Sequence, residues 1–203
     1  MKNIFLNLLL LLLTVVNAQN KKLKLISLTA NLNYPIAFGN NFLNKGYSAD
    51  SGYDLAWQIN PTKHLFFGLM ARKTNEKVIN YNLIGDFDSA TSSSHYFYIG
   101  YRHNIIHQKI YLEHFIGYGN KDITNKSFLS EYNIKGDNSY LIGSRFNYEV
   151  LPEFSLFGGV DFNYSTYTIN LNGPYKDFYS KSYQFTPTLG IKMSFWNVRI
   201  NQR

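Results

Sequence analysis

Apolar and polar residues alternate along most of the chain after residue 25, in eight segments of about ten residues each. The pattern is clearest in the last segment, where Leu189, Ile191 and Met193 share one face. Gly190 and Lys192 fall on the other face. Successive side chains of a β-strand point to opposite sides, so each segment predicts a strand with one apolar and one polar face. Because no segment of comparable length has a helical period, we predict an all-β chain.

The connections between these segments alternate between short and long. Short connections are predicted at 60–63, 105–108 and 151–154, and long polar ones near 35–46, 75–93, 120–138 and 166–182. An even number of antiparallel strands with every short connection at one end is the arrangement of a membrane-spanning barrel. The predicted fold is therefore an eight-stranded antiparallel up-and-down transmembrane β-barrel.

Alternation alone does not decide which face points outward, because a soluble lipocalin-like barrel would have its apolar face inside. Three features favour the membrane arrangement. The polar face is rich in glycine and carries single charges, the connections at the two ends differ in length, and large aromatic residues recur near the short connections. Aromatic belts are typical of both interfaces of a membrane protein. The residues predicted for this membrane-interface belt are Trp57, Tyr101, Tyr148 and Trp196.

The start of the chain has the three parts of a cleavable export signal. Lys2 provides a positive charge, residues 4–16 an apolar core, and Val16-Asn17-Ala18 a small-residue cleavage site. The apolar run is shorter than the roughly 20 residues that a membrane-spanning helix needs. We therefore predict a signal peptide over 1–18 and one barrel domain over 19–203. The chain has no cysteine, which excludes thiol catalysis and thiolate metal sites.

Charged residues on the polar faces are expected to meet inside the barrel. The interior of an eight-stranded barrel is only wide enough for side chains to fill it, and an isolated charge there would be costly. We predict one diagonal arginine–carboxylate pair in each hairpin, forming an ionic plug; the alternative is a selectivity lining or a proton path. The assumed registers pair Ile59 with Leu65, Arg102 with Tyr111, and Glu149 with Ser155. The predicted interior pairs are Asp54 with Arg72, Arg102 with Glu113, and Arg145 with Asp161, with Glu149 and Lys192 as further members.

With these features the chain resembles the small outer-membrane β-barrel family of Gram-negative bacteria, the OmpA/OmpX-like barrels. The resemblance covers the mature chain and rests on the Tyr-Leu-Glu-His-Phe-Ile-Gly-Tyr-Gly run at 111–119, the glycine-punctuated strands and the aromatic-rich last strand. It implies insertion into the outer membrane, with the short turns in the periplasm and the long loops outside.

The end of the chain departs from that family. Its members usually finish on an aromatic residue that the insertion machinery recognises, whereas Phe195 and Trp196 here precede residues 197–203. Either the last strand continues through Val198 and Ile200, or the insertion signal is internal.

Candidate catalytic and metal-binding groups are few. Ser94 and His95 are adjacent, so they point to opposite faces of a strand and cannot cooperate directly. His103 and His107 span a turn without a matching carboxylate. We predict no catalytic, metal or cofactor-binding residue. The net charge is +7, but no run of basic residues exceeds two, which argues against nucleic-acid binding.

These observations leave three functional hypotheses. The first is a monomeric, non-enzymatic outer-membrane barrel with a structural or surface-interaction role through its long loops. Its expected partners are outer-membrane lipid, the barrel-insertion machinery, and an extracellular protein or glycan. The second hypothesis is a narrow pore for ions or small solutes, and the third is a lipid-modifying enzyme, for which His114 is the residue to test.

Overall fold

The structure is a computed structural model that describes residues 23–106, 109–169, 173 and 175–198. The predicted signal peptide and residues 199–203 lie outside these ranges. Eight long strands form the wall, and two short strands and three short helices lie in the connections. The wall strands are β1 (Leu23–Asn33), β3 (Tyr47–Ile59), β4 (Leu65–Val78), β5 (Ser89–Ile106), β6 (Ile110–Lys126), β8 (Gly136–Leu151), β9 (Phe154–Tyr167) and β10 (Lys181–Val198). The connecting elements are β2 (Ile36–Phe38), α1 (Phe42–Gly46), α2 (Tyr81–Ile84), β7 (Glu131–Ile134) and α3 (Lys176–Ser180).

The eight wall strands form a closed antiparallel barrel. Each strand pairs with its neighbour in the chain, in the order β1-β3-β4-β5-β6-β8-β9-β10, and β10 pairs back to β1. The seam is regular, with Leu28 opposite Met193 and Leu32 opposite Leu189. Closure leaves no unpaired edge among these eight strands, as a membrane-spanning sheet requires. The predicted up-and-down barrel is confirmed.

Inside and outside of the wall are reversed relative to a water-soluble barrel. Polar residues such as Thr29, Asp54 and Lys192 are almost fully buried in the lumen. Large apolar residues of the same strands, including Leu55 and Leu189, have more than half of their surface exposed. The alternation therefore has its polar face inward, and the apolar face forms the outer surface that lipid would cover.

The two ends of the barrel differ as the spacing predicts. Short connections follow β3, β5 and β8 at one end, which we call the short-turn end. At the other, the long-loop end, the connections contain β2 and α1, α2, β7, or α3. The described helices have four or five residues, and none has the length and hydropathy needed to cross a membrane. The strands also extend farther into the long connections than the sequence predicts, since β4 runs to Val78 and β5 starts at Ser89.

The first wall strand is interrupted but keeps its register. After β1, Tyr34 and Pro35 lie outside regular pairing, and β2 then pairs with Tyr183–Phe185 of β10. The interruption coincides with Pro187 on β10, which has no backbone N–H to donate to the ladder. Its carbonyl still accepts a hydrogen bond from the backbone N–H of Tyr34, at 3.1 Å. The seam thus continues past two prolines toward the long-loop end.

Candidate functional site

The lumen contains a buried cluster of one arginine and two aspartates, the upper ion cluster. Asp54 and Arg72 are direct neighbours on β3 and β4, and Asp161 reaches the same guanidinium from β9. Arg72 Nε and Nη2 lie 2.8 and 2.9 Å from the two oxygens of Asp54. Arg72 Nη1 and Nη2 lie 2.9 and 2.7 Å from the oxygens of Asp161. Two bidentate contacts therefore hold one cation between two carboxylates, which fixes its orientation across the lumen.

A second charged group, the lower ion cluster, has the opposite composition. Glu113 Oε1 accepts from Arg102 Nη2 at 2.8 Å and from Lys192 Nζ at 2.5 Å. Lys192 also donates to Gln58 Oε1 at 3.2 Å. Gln58 lies four positions beyond Asp54 along β3, toward the short-turn end. The upper cluster has one more negative than positive group and the lower cluster one more positive than negative, so the two compensate each other's net charge.

Farther toward the short-turn end, Glu149 forms an ion pair with Lys24 of β1. About a quarter of each side chain is exposed, so this pair sits at the mouth of the lumen. A salt bridge of this exposure contributes little to stability, because water screens both charges. Glu149 thus lies on the lumen side, as predicted, and its partner is on β1, which is not part of its own hairpin.

The predicted registers of the first two hairpins are wrong by two residues. Asp54 lies directly opposite Arg72, and Arg102 directly opposite Glu113, instead of diagonally. In the first connection, the Thr62 hydroxyl accepts from the backbone N–H of Leu65 at 2.8 Å, and Asn60 bonds back to β1. These contacts widen the turn, so Ile59 pairs with Phe67. In the second hairpin the displacement is already present next to the turn, where Ile106 pairs with Ile110, and an irregularity between Asn104 and Ile106 shifts the pairing by one residue. The third assumed register, Glu149 with Ser155, agrees with the structure.

The predicted pair of Arg145 and Asp161 does not form. Both oxygens of Asp161 bind Arg72 instead, and Arg145 has no ion pair with any described residue. The Arg145 guanidinium lies 4.7 Å from the ring centre of Phe115 and 5.2 Å from that of Phe157. It is a buried cation between aromatic faces, an arrangement that offsets part of its desolvation.

At the long-loop end, apolar side chains close the lumen. The apolar cap consists of Phe42, Leu43, Tyr47, Val78, Ala90, Ile123 and Tyr167, each at most 6% exposed. Phe42 and Leu43 belong to α1, so a loop helix is inserted among inward-facing residues of the strand ends. Asn41 caps this helix by accepting the backbone N–H of Asn44 at 3.0 Å. The cap was not predicted; its only sign in the sequence is an apolar Phe-Leu pair within a predicted polar loop.

Outward-facing aromatic residues lie at two levels. Near the short-turn end, Trp57, Tyr101 and Tyr148 are 40 to 48% exposed, while the side chain of Trp196 is outside the described part. Toward the long loops, four tyrosines from adjacent strands form a continuous row, with ring centres 5.2 to 6.2 Å apart. The row contains Tyr118, Tyr140, Tyr164 and Tyr183. This second level was not predicted, although its four tyrosines all occupy outward-facing positions of the alternating pattern.

His114 is the histidine whose contact most resembles part of a catalytic site. Its Nδ1 lies 2.7 Å from the Ser144 hydroxyl, on the outer face of β6 and β8. A serine hydrolase also needs an acid that orients the histidine and donors that stabilise the oxyanion. Within the described ranges no carboxylate bonds to this histidine, and no group of three potential metal ligands occurs. The pair satisfies two polar groups on an apolar surface.

Comparisons with known proteins identify the fold. No protein-family model and no curated protein sequence matches the chain. Among solved structures, it is similar to Neisserial surface protein A, with a TM-score of 0.58 and 12% identity over 84% of this chain and 97% of that one. The N-terminal β-barrel domain of OprF from Pseudomonas aeruginosa matches with a TM-score of 0.51 and 12% identity over 83% and 97%. Ail, the attachment invasion locus protein of Yersinia pestis, matches with a TM-score of 0.50 and 17% identity over 84% and 97%. The chain therefore has the fold of the small eight-stranded outer-membrane β-barrels, which confirms the resemblance predicted from its sequence.

Proposed function

We propose that this protein is an exported, monomeric outer-membrane barrel that conducts no solutes and acts through its extracellular loops. The observation that carries the proposal is the filled lumen. Two buried ion clusters cross it, and the apolar cap lies above them at the long-loop end. Charges held in this way are costly to separate, so they serve as a plug that stiffens the wall. Lipid surrounds the wall, and the insertion machinery is the partner during biogenesis.

The surface-interaction role is supported by the connection between β6 and β7. Phe128 and Leu129 at its tip are 96% and 89% exposed. The tip is held in a defined shape, because the Ser127 backbone N–H donates to the Ser130 carbonyl at 2.9 Å and their hydroxyls also meet at 2.9 Å. Two exposed apolar side chains on an ordered hairpin are suited to contact a protein or glycan outside the cell.

The experiment that separates the plug from a narrow pore is single-channel recording in planar bilayers. Correct folding is checked first by heat-modifiable migration in detergent gels. We expect no stable conductance steps from the folded protein. Stable steps that disappear when Arg72, Arg102 or Arg145 is replaced by alanine would contradict the proposal and establish a charge-lined pore.

The lipid-modifying alternative has a separate test. Phospholipid turnover by the folded barrel that is lost in His114→Ala and in Ser144→Ala would support an enzyme. We expect no turnover, because the described part of the chain provides no acid for this pair.

A further inference from the structure

The row of outward tyrosines extends around most of the barrel and has one gap. With Tyr34, directly after β1, and Tyr53 of β3, it forms a tyrosine belt that has members on five wall strands and one at the end of a sixth. The two strands without a member are β4 and β5. At the level of the gap their outward residues are Lys73 and Ser93, which pair with each other, and Ala71 and His95 below them. In this stretch of the belt, a lysine and small side chains therefore replace the tyrosines.

Lys73 is a free cation at this position. It lies opposite Tyr53 on one side and Ser93 on the other, and its side chain is exposed. It forms no ion pair with another residue in 23–106, 109–169 or 175–198. His95 is its diagonal neighbour, at a separation that a lysine side chain can span. A negatively charged group at the belt would thus meet two nitrogen-bearing side chains.

An apolar furrow of about 740 Å³ runs along the outer wall directly below the gap. Small residues, including Ala30, Ala71 and Gly119, form its floor. Trp57, Leu69 and Phe97 form the wall nearer the short turns, since they occupy the next outward row of paired residues. Ala30 and Ala71 are outward-facing positions whose side chains are single methyl groups, so the wall is recessed there and the furrow stays open.

We propose that the gap and the furrow together form a binding site for one anionic, phosphate-bearing lipid of the outer leaflet. Lys73, assisted by His95, contacts the phosphate, and an acyl chain lies in the furrow. The inference rests on the proposed function, because it requires that lipid covers the wall.

A cation at the belt and an apolar furrow below it together favour an anionic lipid over other ligands. A free phosphate would use Lys73 but would gain nothing from the apolar furrow. A second copy of the chain would have to bury Lys73 against its own belt, where the outward residues are tyrosines. An amphiphile with a phosphate at the belt and its chain below matches both parts, because belts of aromatic residues lie at the headgroup level.

The test uses Trp57 as a reporter inside the furrow. The chain has two tryptophans, so the Trp196→Phe variant leaves Trp57 as the only one. This variant is inserted into phosphatidylcholine vesicles containing a minor fraction of a lipid with brominated acyl chains, either phosphatidic acid or phosphatidylcholine. We expect brominated phosphatidic acid to be about fivefold enriched at Trp57, the effect of roughly one lysine at a membrane surface.

Variants in the same background separate the headgroup contact from the furrow. Lys73→Glu and Ala71→Phe should abolish the enrichment. Lys77→Glu, on the same face of β4 but farther from the furrow, and Leu189→Phe, an exposed position on β10, should retain it. Inorganic phosphate in excess should leave it unchanged.

Equal quenching by the two brominated lipids, or a preference that persists in Lys73→Glu, would overturn the inference. Loss of the preference with inorganic phosphate would indicate a simple anion site and would also overturn it. If neither lipid quenches Trp57 and migration in gels is not heat-modifiable, the barrel has not inserted, and it is the proposed function that fails.

Discussion

Arg72 connects carboxylates from opposite parts of the wall, since Asp54 is on the adjacent strand and Asp161 on β9. Asp54 also accepts from the side-chain amides of Asn31 and Asn33, at 2.8 and 2.6 Å. Such a cluster is stable only as a whole, because removing one member leaves buried charges without a partner. Its contribution is therefore to hold strands in place rather than to provide reactive groups.

The mutual dependence of these charges predicts how substitutions in the upper ion cluster combine. Arg72→Met alone leaves two buried carboxylates and should lower the free energy of unfolding by about 3–5 kcal/mol. Adding Asp54→Asn and Asp161→Asn should restore most of that loss. Urea unfolding in lipid vesicles, followed by tryptophan fluorescence, measures both variants, and Lys77→Ala provides an exposed control. If the triple variant is less stable than Arg72→Met, the charges are not the cause.

Arg145 illustrates which residue-level contacts could not be predicted. Alternation places it correctly on the lumen side, and the assumed register of its hairpin, Glu149 with Ser155, agrees with the structure. Two of its contacts are diagonal neighbours on adjacent strands, Phe115 of β6 and Phe157 of β9. The sulfur of Met70 reaches it from β4, which is not adjacent to β8. This last contact depends on how the closed wall brings distant strands together, and hairpin pairing contains no information about it.

At the scale of the elements, α1 is the helix that closes the long-loop end of the lumen. It has five residues, too few to be stable alone or to show a periodic pattern. Its stability comes from packing Phe42 and Leu43 into the strand ends. Because so short an element shows no periodic pattern, the alternation that predicts the wall strands leaves this segment in a predicted polar loop.

The cap can be tested with two phenylalanines in opposite environments. Phe42→Ala removes a fully buried ring and should lower the free energy of unfolding by about 3–5 kcal/mol, whereas Phe128→Ala, at a 96% exposed position, should have little effect. Limited trypsin digestion should also cut after Lys45 faster in Phe42→Ala, because α1 loses its anchor. Equal stability of the two variants would show that the cap contributes nothing to the fold.

At the scale of the whole molecule, the faces and the inequality of the two ends follow from the sequence, while the registers of two hairpins do not. Alternation has a period of two, so a shift of two residues keeps every side chain on its predicted face. The pattern therefore fixes what points inward but not which residues oppose each other. Turn contacts such as those of Thr62 make that choice.

The orientation of the barrel can be measured because the natural chain has no cysteine. Phe128→Cys places a thiol at the tip between β6 and β7, and Glu153→Cys places one in the turn between β8 and β9. A membrane-impermeant maleimide should label the first in intact cells and the second only after the outer membrane is permeabilised. Labelling of both, or of Glu153→Cys alone, in intact cells would contradict the proposed topology.

The seam between β1 and β10 has a consequence for the order of assembly. It joins the two ends of the chain, with Leu23 opposite Val198 and Phe38 opposite Tyr183, whereas every other pair of wall strands joins segments close in sequence. Contacts of high sequence separation carry the largest loop-closure entropy and form late. The hairpins are thus expected to assemble first into an open, curved sheet. The pairing of β2 with β10 lengthens the seam, so the two free edges of this sheet have more residues through which to pair when the barrel closes.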